Sequence, residues 1–280
     1  MMKGTPMMGS INPALSSLSQ TNNALSGVMS RLSSGKRLNS SQDDPAGLAI
    51  SSLMSAQLGS NAQAQSNISM GLALSETASG ALGQVSDTLQ RMRELAVQSA
   101  NGTNTPGDRQ AIQQEFSQLS QSLDQVASQT QFNGQKLLDG SFSASLQTGP
   151  NAGNTFEISG GNVSAQGLGV NSLDITTASN ATGAISAIDQ AISNIGAQQG
   201  AVGASQSGLE AAAANLSVSY ESLASAKSQK TDTNYAKEST TFAQERLRQD
   251  VASKMVSLYQ ANQSSVLRLI PGATGLKAIG

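Results

Sequence analysis

The sequence predicts a mainly α protein: an elongated antiparallel bundle of long helices, or coiled coil, with a small β-hairpin region in the middle of the chain. Three observations predict it. Small and apolar residues recur at alternating three- and four-residue steps, most clearly at Ile68, Gly71, Ser75, Ala78, Leu82, Val85, Leu89, Met92, Ala96 and Ser99, which is the period of a coiled-coil seam. Only 3% of the 280 residues are aromatic and none is Trp, so a thick core cannot be filled and thin packing between close helices is favoured. A turn-rich stretch of alternating residues interrupts the helical pattern near the middle of the chain, with long seams on both sides of it.

The first helix begins at Ile11, and its seam runs Ile11, Leu15, Leu18, Asn22, Leu25, Met29, Leu32. Asn22 in that line is either a buried amide that fixes register or a solvated side chain. Gly35 ends the helix, and GKRLNSSQDD forms a polar connector, with Arg31, Lys36 and Arg37 near one end and Asp43 and Asp44 beside them. The two aspartates can cap free N–H groups and Pro45 suits a first helical turn, so a second helix starts there. Running to Ser99, it would be a rod of about 80 Å.

NGTNTPGD then reverses the chain. A third helix carries Ile112, Phe116, Leu119, Leu123 and Val126 and ends before Gln131. Asn133-Gly134 is the favoured pair for a tight turn. Ser141–Gln147 and Thr155–Ser159 read as a hairpin, and Gly160–Asn180, rich in Gly, Asn and Ser, as an irregular surface excursion. The seam returns from Ile185 to Leu223 through Ile188, Ile192, Ile195, Val202, Leu209 and Leu216, weakened by Gly203 and Gly208, as the partner of the long rod. After QKTDTN a last helix carries Phe242, Leu247, Val251, Met255 and Leu258, and Ser264–Gly280 is expected to fray.

Composition excludes several functions. Lys+Arg 16 against Asp+Glu 18 leaves a net charge of −2, so no basic surface draws nucleic acid. The chain contains no His and no Cys, which removes imidazole bases, thiol nucleophiles and the usual zinc ligands. Asp87, Asp108 and Glu115 form no paired constellation. No enzyme, cofactor or metal is expected. No segment is apolar enough to span a bilayer or to serve as a cleavable signal peptide, so no membrane partner is expected either.

Self-association is the function the pattern favours. The middle of the chain pairs with itself, leaving the stripes of Ile11–Leu32 and Phe242–Leu258 nothing to bury against. Such helices are expected to be disordered alone and to fold against neighbouring copies. A head-to-tail contact that does not close propagates as a helix of subunits.

Four segments carry a family likeness: RLSSGKRLNSSQDDPAGLAIS (Arg31–Ser51), LQRMRELAVQSANGTN (Leu89–Asn104), QTQFNGQKLL (Gln129–Leu138) and the weaker TDTNYAKES (Thr231–Ser239). Together they resemble bacterial flagellin, from about Ile11 to Gln263, with the family's variable middle cut short. The resemblance implies an inner-tube helix at 1–40, outer-wall helices at 41–140 and 183–229, a short hairpin or variable loop at 141–182, and a second inner-tube helix with its tail at 230–280.

It further implies a secreted subunit, exported unfolded and polymerising into the filament, with itself, an export chaperone, the cap and the hook-junction proteins as partners. Self-assembly would fall to Ile11, Leu15, Leu18, Leu25, Leu32, Leu247, Val251, Met255 and Leu258. By the same resemblance, Gln90, Arg91, Leu95 and Glu115 match a patch read by a flagellin-sensing Toll-like receptor, on a surface whose primary role is packing in the outer wall. The competing readings are a hook–filament junction protein and a surface-binding helical paralogue recognising a polysaccharide or a host receptor.

Overall fold

A computed structural model of the chain describes residues 11–269, apart from the side chains of residues 11–12, 263 and 266–269. Its elements are α1 (Ile11–Ser34), α2 (Pro45–Ala100), α3 (Pro106–Gln129), β1 (Gln131–Phe132), β2 (Gln135–Lys136), β3 (Ser143–Gln147), β4 (Thr155–Ser159), α4 (Ala178–Thr231) and α5 (Tyr235–Leu269). They fall into two compact units, residues 56–223 and residues 1–55 with 224–280. The class is that expected from the sequence, long helices with short antiparallel strands between them.

In the unit of residues 56–223, α2 is the common partner. All ten seam positions from Ile68 to Ser99 are buried. Helix α4 runs antiparallel to α2, as the pairs Gly71 with Leu209 and Arg93 with Asp189 require. Helix α3 returns along another side of α2. Its start is fixed by a capping box between Thr105 and Asp108 and by Pro106 in the first turn. Behind it, Asn133 (φ 50°) and Gly134 (φ 80°) make the tight β1–β2 turn, the left-handed pair that matches strand twist.

The β3–β4 hairpin docks on both long helices. Ala144 pairs with Ile158 and Leu146 with Phe156, and these four alternate residues are the ones turned toward the core. Two helix glycines make room. A Cβ on Gly71 would come within 2.9 Å of Leu146, and one on Gly208 within 2.8 Å of the Phe156 ring. Gly203, on the same helix as Gly208, has nothing within 4 Å of that position. Ala is favoured over Gly inside a helix by about 1 kcal/mol, so Gly203→Ala should gain up to that much. Gly208→Ala should instead lose about 1–3 kcal/mol through the displaced ring. Urea midpoints of the two variants would check the opposite signs.

Residues 160–180 depart from expectation. They are not a surface excursion: Val163, Ala165, Val170 and Ile175 are fully buried and Leu168 nearly so. The segment is a strap held to α3 and α2 by side chains that serve its backbone. Asp124 accepts from the Ala165 N–H at 2.9 Å, Gln113 from the Ile175 N–H at 2.8 Å, and the Ser99 hydroxyl donates to the Ile175 carbonyl. A buried irregular backbone needs such partners.

In the other unit, α1 and α5 are helices that pair antiparallel. Arg31 and Glu238 join one end of the pair, with Nε–Oε1 at 3.0 Å, and Gln249 donates to Asn22 at 2.8 Å further along. Asn22 is therefore exposed yet hydrogen-bonded across the pair, between the two readings of its role. The two connectors also meet: Arg37 N–H donates to Thr231 O at 2.7 Å and Thr233 N–H to Gly35 O at 3.0 Å. Helix α5 continues through Ser264 to Leu269, further than the expected fraying point. Residues 1–10 and 270–280 lie outside the described residues.

Candidate self-assembly surface

The α1–α5 pair uses less apolar surface than it carries. On α1 the side toward α5 is Ala14, Leu18, Thr21, Leu25, Val28 and Leu32, of which Thr21 and Val28 are buried and the rest half-buried. The predicted seam is thus divided. Leu18, Leu25 and Leu32 pack, while Leu15 and Met29 remain 52% and 53% exposed on the flank. Ile11, the other predicted member, has its side chain outside the described residues.

On α5 the half-buried line is Glu238, Phe242, Glu245, Gln249, Ala252, Val256 and Tyr259, again stepping by four and three. The predicted Leu247, Val251, Met255 and Leu258 lie on another face and are 65%, 55%, 62% and 61% exposed. Three of them edge an open groove of about 680 Å³, whose other wall is Ala14, Ser17, Gln20, Thr21 and Ala24 of α1. Fully burying one large apolar side chain yields about 1.5–3 kcal/mol. A row of four half-exposed ones is a strong incentive to association, and an uninterrupted apolar row is rare on a monomer without function. Ile50 and Leu53, at the start of α2, and Tyr235 are further exposed apolar side chains of this unit that the seam reading passed over.

Electrostatics fix the pair and its connector. The Arg31–Glu238 contact is largely shielded, with side-chain exposures of 27% and 15%. In the connector, Asp43 accepts from the N–H groups of Ser40 and Asn39 at 2.9 and 3.0 Å, and these hold its carboxyl below the ordinary value of 3.8. A carboxylate whose folded value is depressed stabilises the fold fully above the unfolded value and loses that effect as pH falls through the folded one. Acidification below 3.8 should therefore release the Asn39 and Ser40 amides, read as lost hydrogen-exchange protection there before any in α2.

The second predicted group is split. Gln90, Arg91 and Glu115 are exposed, and Arg91 bridges α2 to α3 through Glu115 at 2.8 Å while also contacting Glu94 at 2.9 Å. Leu95 does not join them: it is 1% exposed and part of the core. With α3 on one side of α2 and α4 on another, the buried stripe of α2 is broader than a single seam and takes in this flank. Among the described residues no group of three or more His, Cys, Asp or Glu is placed to hold a metal ion, and no helix is long and apolar enough to cross a membrane.

Comparison with known proteins agrees with this arrangement. The family model for the bacterial flagellin N-terminal helical region matches residues 8–143, and that for the C-terminal helical region matches residues 185–270. The chain is 45% identical over 171 residues to a flagellin of Halalkalibacterium halodurans, a match covering 60% of this chain and 63% of that one. It is 42% identical over 161 residues to a flagellin of Salmonella muenchen, covering 58% of this chain and 32% of the relative. The matched stretch thus spans about a third of the Salmonella protein's length and just under two thirds of the other's.

The crystal structure of Bacillus cereus flagellin superposes with a TM-score of 0.50 at 29% identity, over 54% of this chain and 88% of that one. A putative flagellar hook-associated protein from Vibrio parahaemolyticus shares the fold, with a TM-score of 0.59 at 19% identity over 68% of this chain and 100% of that one. The two family matches lie on the two halves that the structure brings together as antiparallel helices. The chain belongs to the bacterial flagellins.

Proposed function

We propose that this protein is a structural subunit of the bacterial flagellar filament, acting by polymerisation and not as an enzyme. One observation carries the reading: α5 pairs with α1 and still leaves Leu247, Val251, Met255 and Leu258 in water. A second copy of the chain is the partner such a stripe fits, since the family assembles with itself. Leu15, Leu18, Leu25 and Leu32 of α1 serve the same inner tube, with Ile11 at its start, and the helices within 41–140 and 183–229 form the outer wall. The subunit works outside the cell as part of the flagellum. It reaches that place by unfolded export, with an export chaperone, the cap and the hook-junction proteins as its partners.

The test is electron microscopy of purified protein after seeding with sheared filaments. Long filaments support the reading. Short rings would place the chain at the hook–filament junction, and no polymer would leave a binding module.

Recognition by a flagellin-sensing Toll-like receptor is a second role of the same molecule. Its support is the exposure of Gln90, Arg91 and Glu115 together on one face, tied by the Arg91–Glu115 pair; the buried Leu95 is not part of that contact. Exposed ion pairs contribute only about 0–1 kcal/mol to stability. Arg91→Ala should therefore lower the signal of a receptor reporter about tenfold while leaving the melting temperature nearly unchanged. An unchanged signal would remove Arg91 from the contact.

A further inference from the structure

Where α2, α4 and the β3–β4 hairpin meet lies a cavity of about 160 Å³. Its wall is mostly apolar, from Leu82, Leu137, Phe142 and Ile158, and none of its lining residues is charged. Ser75 and Gln198 line it as well, with the exposed Ser159 beside them. Ser75 is 1% exposed, and neither its hydroxyl nor the buried side-chain oxygen of Gln198 has a hydrogen-bond partner among the described residues.

The surroundings make this arrangement specific. On the same helix, Ser69 and Thr77 donate to the carbonyls four residues back, at 3.0 and 2.9 Å, while Ser75 does not. The Gln198 carboxamide lies against Gly161, where any Cβ would overlap it, and a Cβ on Gly160 would overlap the Leu137 carbonyl. Gly160 thus leaves no room for a side chain against the Leu137 backbone, and Gly161 lets the Gln198 carboxamide lie flat on the chain. A buried polar atom without a partner is unfavourable. Two such atoms on one cavity wall are tolerated when a guest supplies what they lack.

The donors and acceptors name the guest. Gln198 Oε1 only accepts, and the Ser75 hydroxyl either donates or accepts, so the guest must donate a hydrogen, and a lining without charged residues suits a neutral one. A hydroxyl group fits both. One water needs about 10–15 Å³ of such volume, so several waters or one short alcohol fill the space. We infer that this cavity is a built binding site for neutral hydroxyl-bearing guests, water or a small alcohol, bridged between Ser75 and Gln198.

Methyl-labelled NMR of the full chain before seeding tests it, with n-propanol and xenon as probes. Propanol should shift the methyls of Leu82, Leu137 and Ile158 saturably, and xenon, which enters dry apolar voids, should leave them unmoved. In Ser75→Ala the preference should invert, with propanol binding weakened about tenfold and xenon shifting the same methyls. A water cross-peak to the Gly161 amide that fades as propanol is added names water as the resident guest. A saturable propanol response without that cross-peak names the organic hydroxyl. Xenon shifts in the unaltered protein, or propanol shifts that never saturate, would overturn the proposal.

Discussion

Val251→Glu combined with Met255→Glu should abolish seeded filament growth while leaving the circular dichroism of the single chain unchanged. The two expectations come from one fact. Both side chains already stand in water, 55% and 62% exposed, so a carboxylate at either position meets solvent and not a core. On the proposed assembly surface the same carboxylates would have to be buried against an apolar neighbour. An uncompensated buried charge is so unfavourable that the contact is not made. Even a net loss of about 4 kcal/mol per contact is roughly a thousandfold in its equilibrium constant, and every added subunit must make that contact. Met255→Leu keeps the apolar area and should polymerise normally, which separates loss of the stripe from loss of the residue. If the double variant still extends seeds at the normal rate, the stripe is not the assembly surface.

What the sequence made legible here, and what it hid, follows from periodicity. The seam of α2 was readable residue by residue because a long helix repeats its contact every three or four positions, and all ten positions are buried. The turn at Asn133-Gly134 was readable from its conformational demand alone. The strap at 163–175 was not, because its buried residues fall at 163, 165, 168, 170 and 175, a spacing with neither the helix nor the strand period. Its backbone is satisfied by Gln113 and Asp124 from another helix, information no local pattern contains. Leu95 is set on the patch by resemblance alone, which does not register that α2 packs against both α3 and α4 and so buries this position.

The terminal helices hide their division of labour differently. Both faces of α5 hold apolar residues, so the sequence names a stripe without saying which line is taken internally. The structure assigns Phe242, Ala252, Val256 and Tyr259 to the half-buried line and leaves Leu247, Val251, Met255 and Leu258 outside. A single seam would have closed the molecule on itself. Two apolar faces on one helix allow the chain to hold its own tails together and still leave one face exposed, the face proposed for self-assembly.

Arg109→Met should destabilise the unit of residues 56–223 by about 2–4 kcal/mol, the scale for removing hydrogen bonds made by a buried charged group. Near the N-terminal end of α3 an arginine reads as solvated, yet Arg109 is 7% exposed. Its Nη1 donates to Ser99 O at 3.2 Å and its Nη2 to Asn101 O at 2.8 Å. Those carbonyls belong to the end of α2 and the turn after it, where helix carbonyls lack partners of their own and a positive charge is favoured. One side chain therefore fastens the reversal between the two helices. Ser99, whose carbonyl it holds, also donates its hydroxyl to Ile175 O, so the strap is tied to the same point. Met keeps most of the apolar stem and removes both donors, leaving the buried Ser99 carbonyl without this partner and the Asn101 carbonyl with only the Asn104 N–H. At about 2–4 °C per kcal/mol for a domain of this size, the melting temperature should fall by roughly 4–16 °C. Arg109→Lys should recover only part of it, since one ammonium cannot reach two carbonyls with the geometry of a planar guanidinium. Hydrogen exchange should locate the loss at the last turn of α2, the first turn of α3 and Ile175. A variant as stable as the parent would mean that the arginine fills space there and fastens nothing.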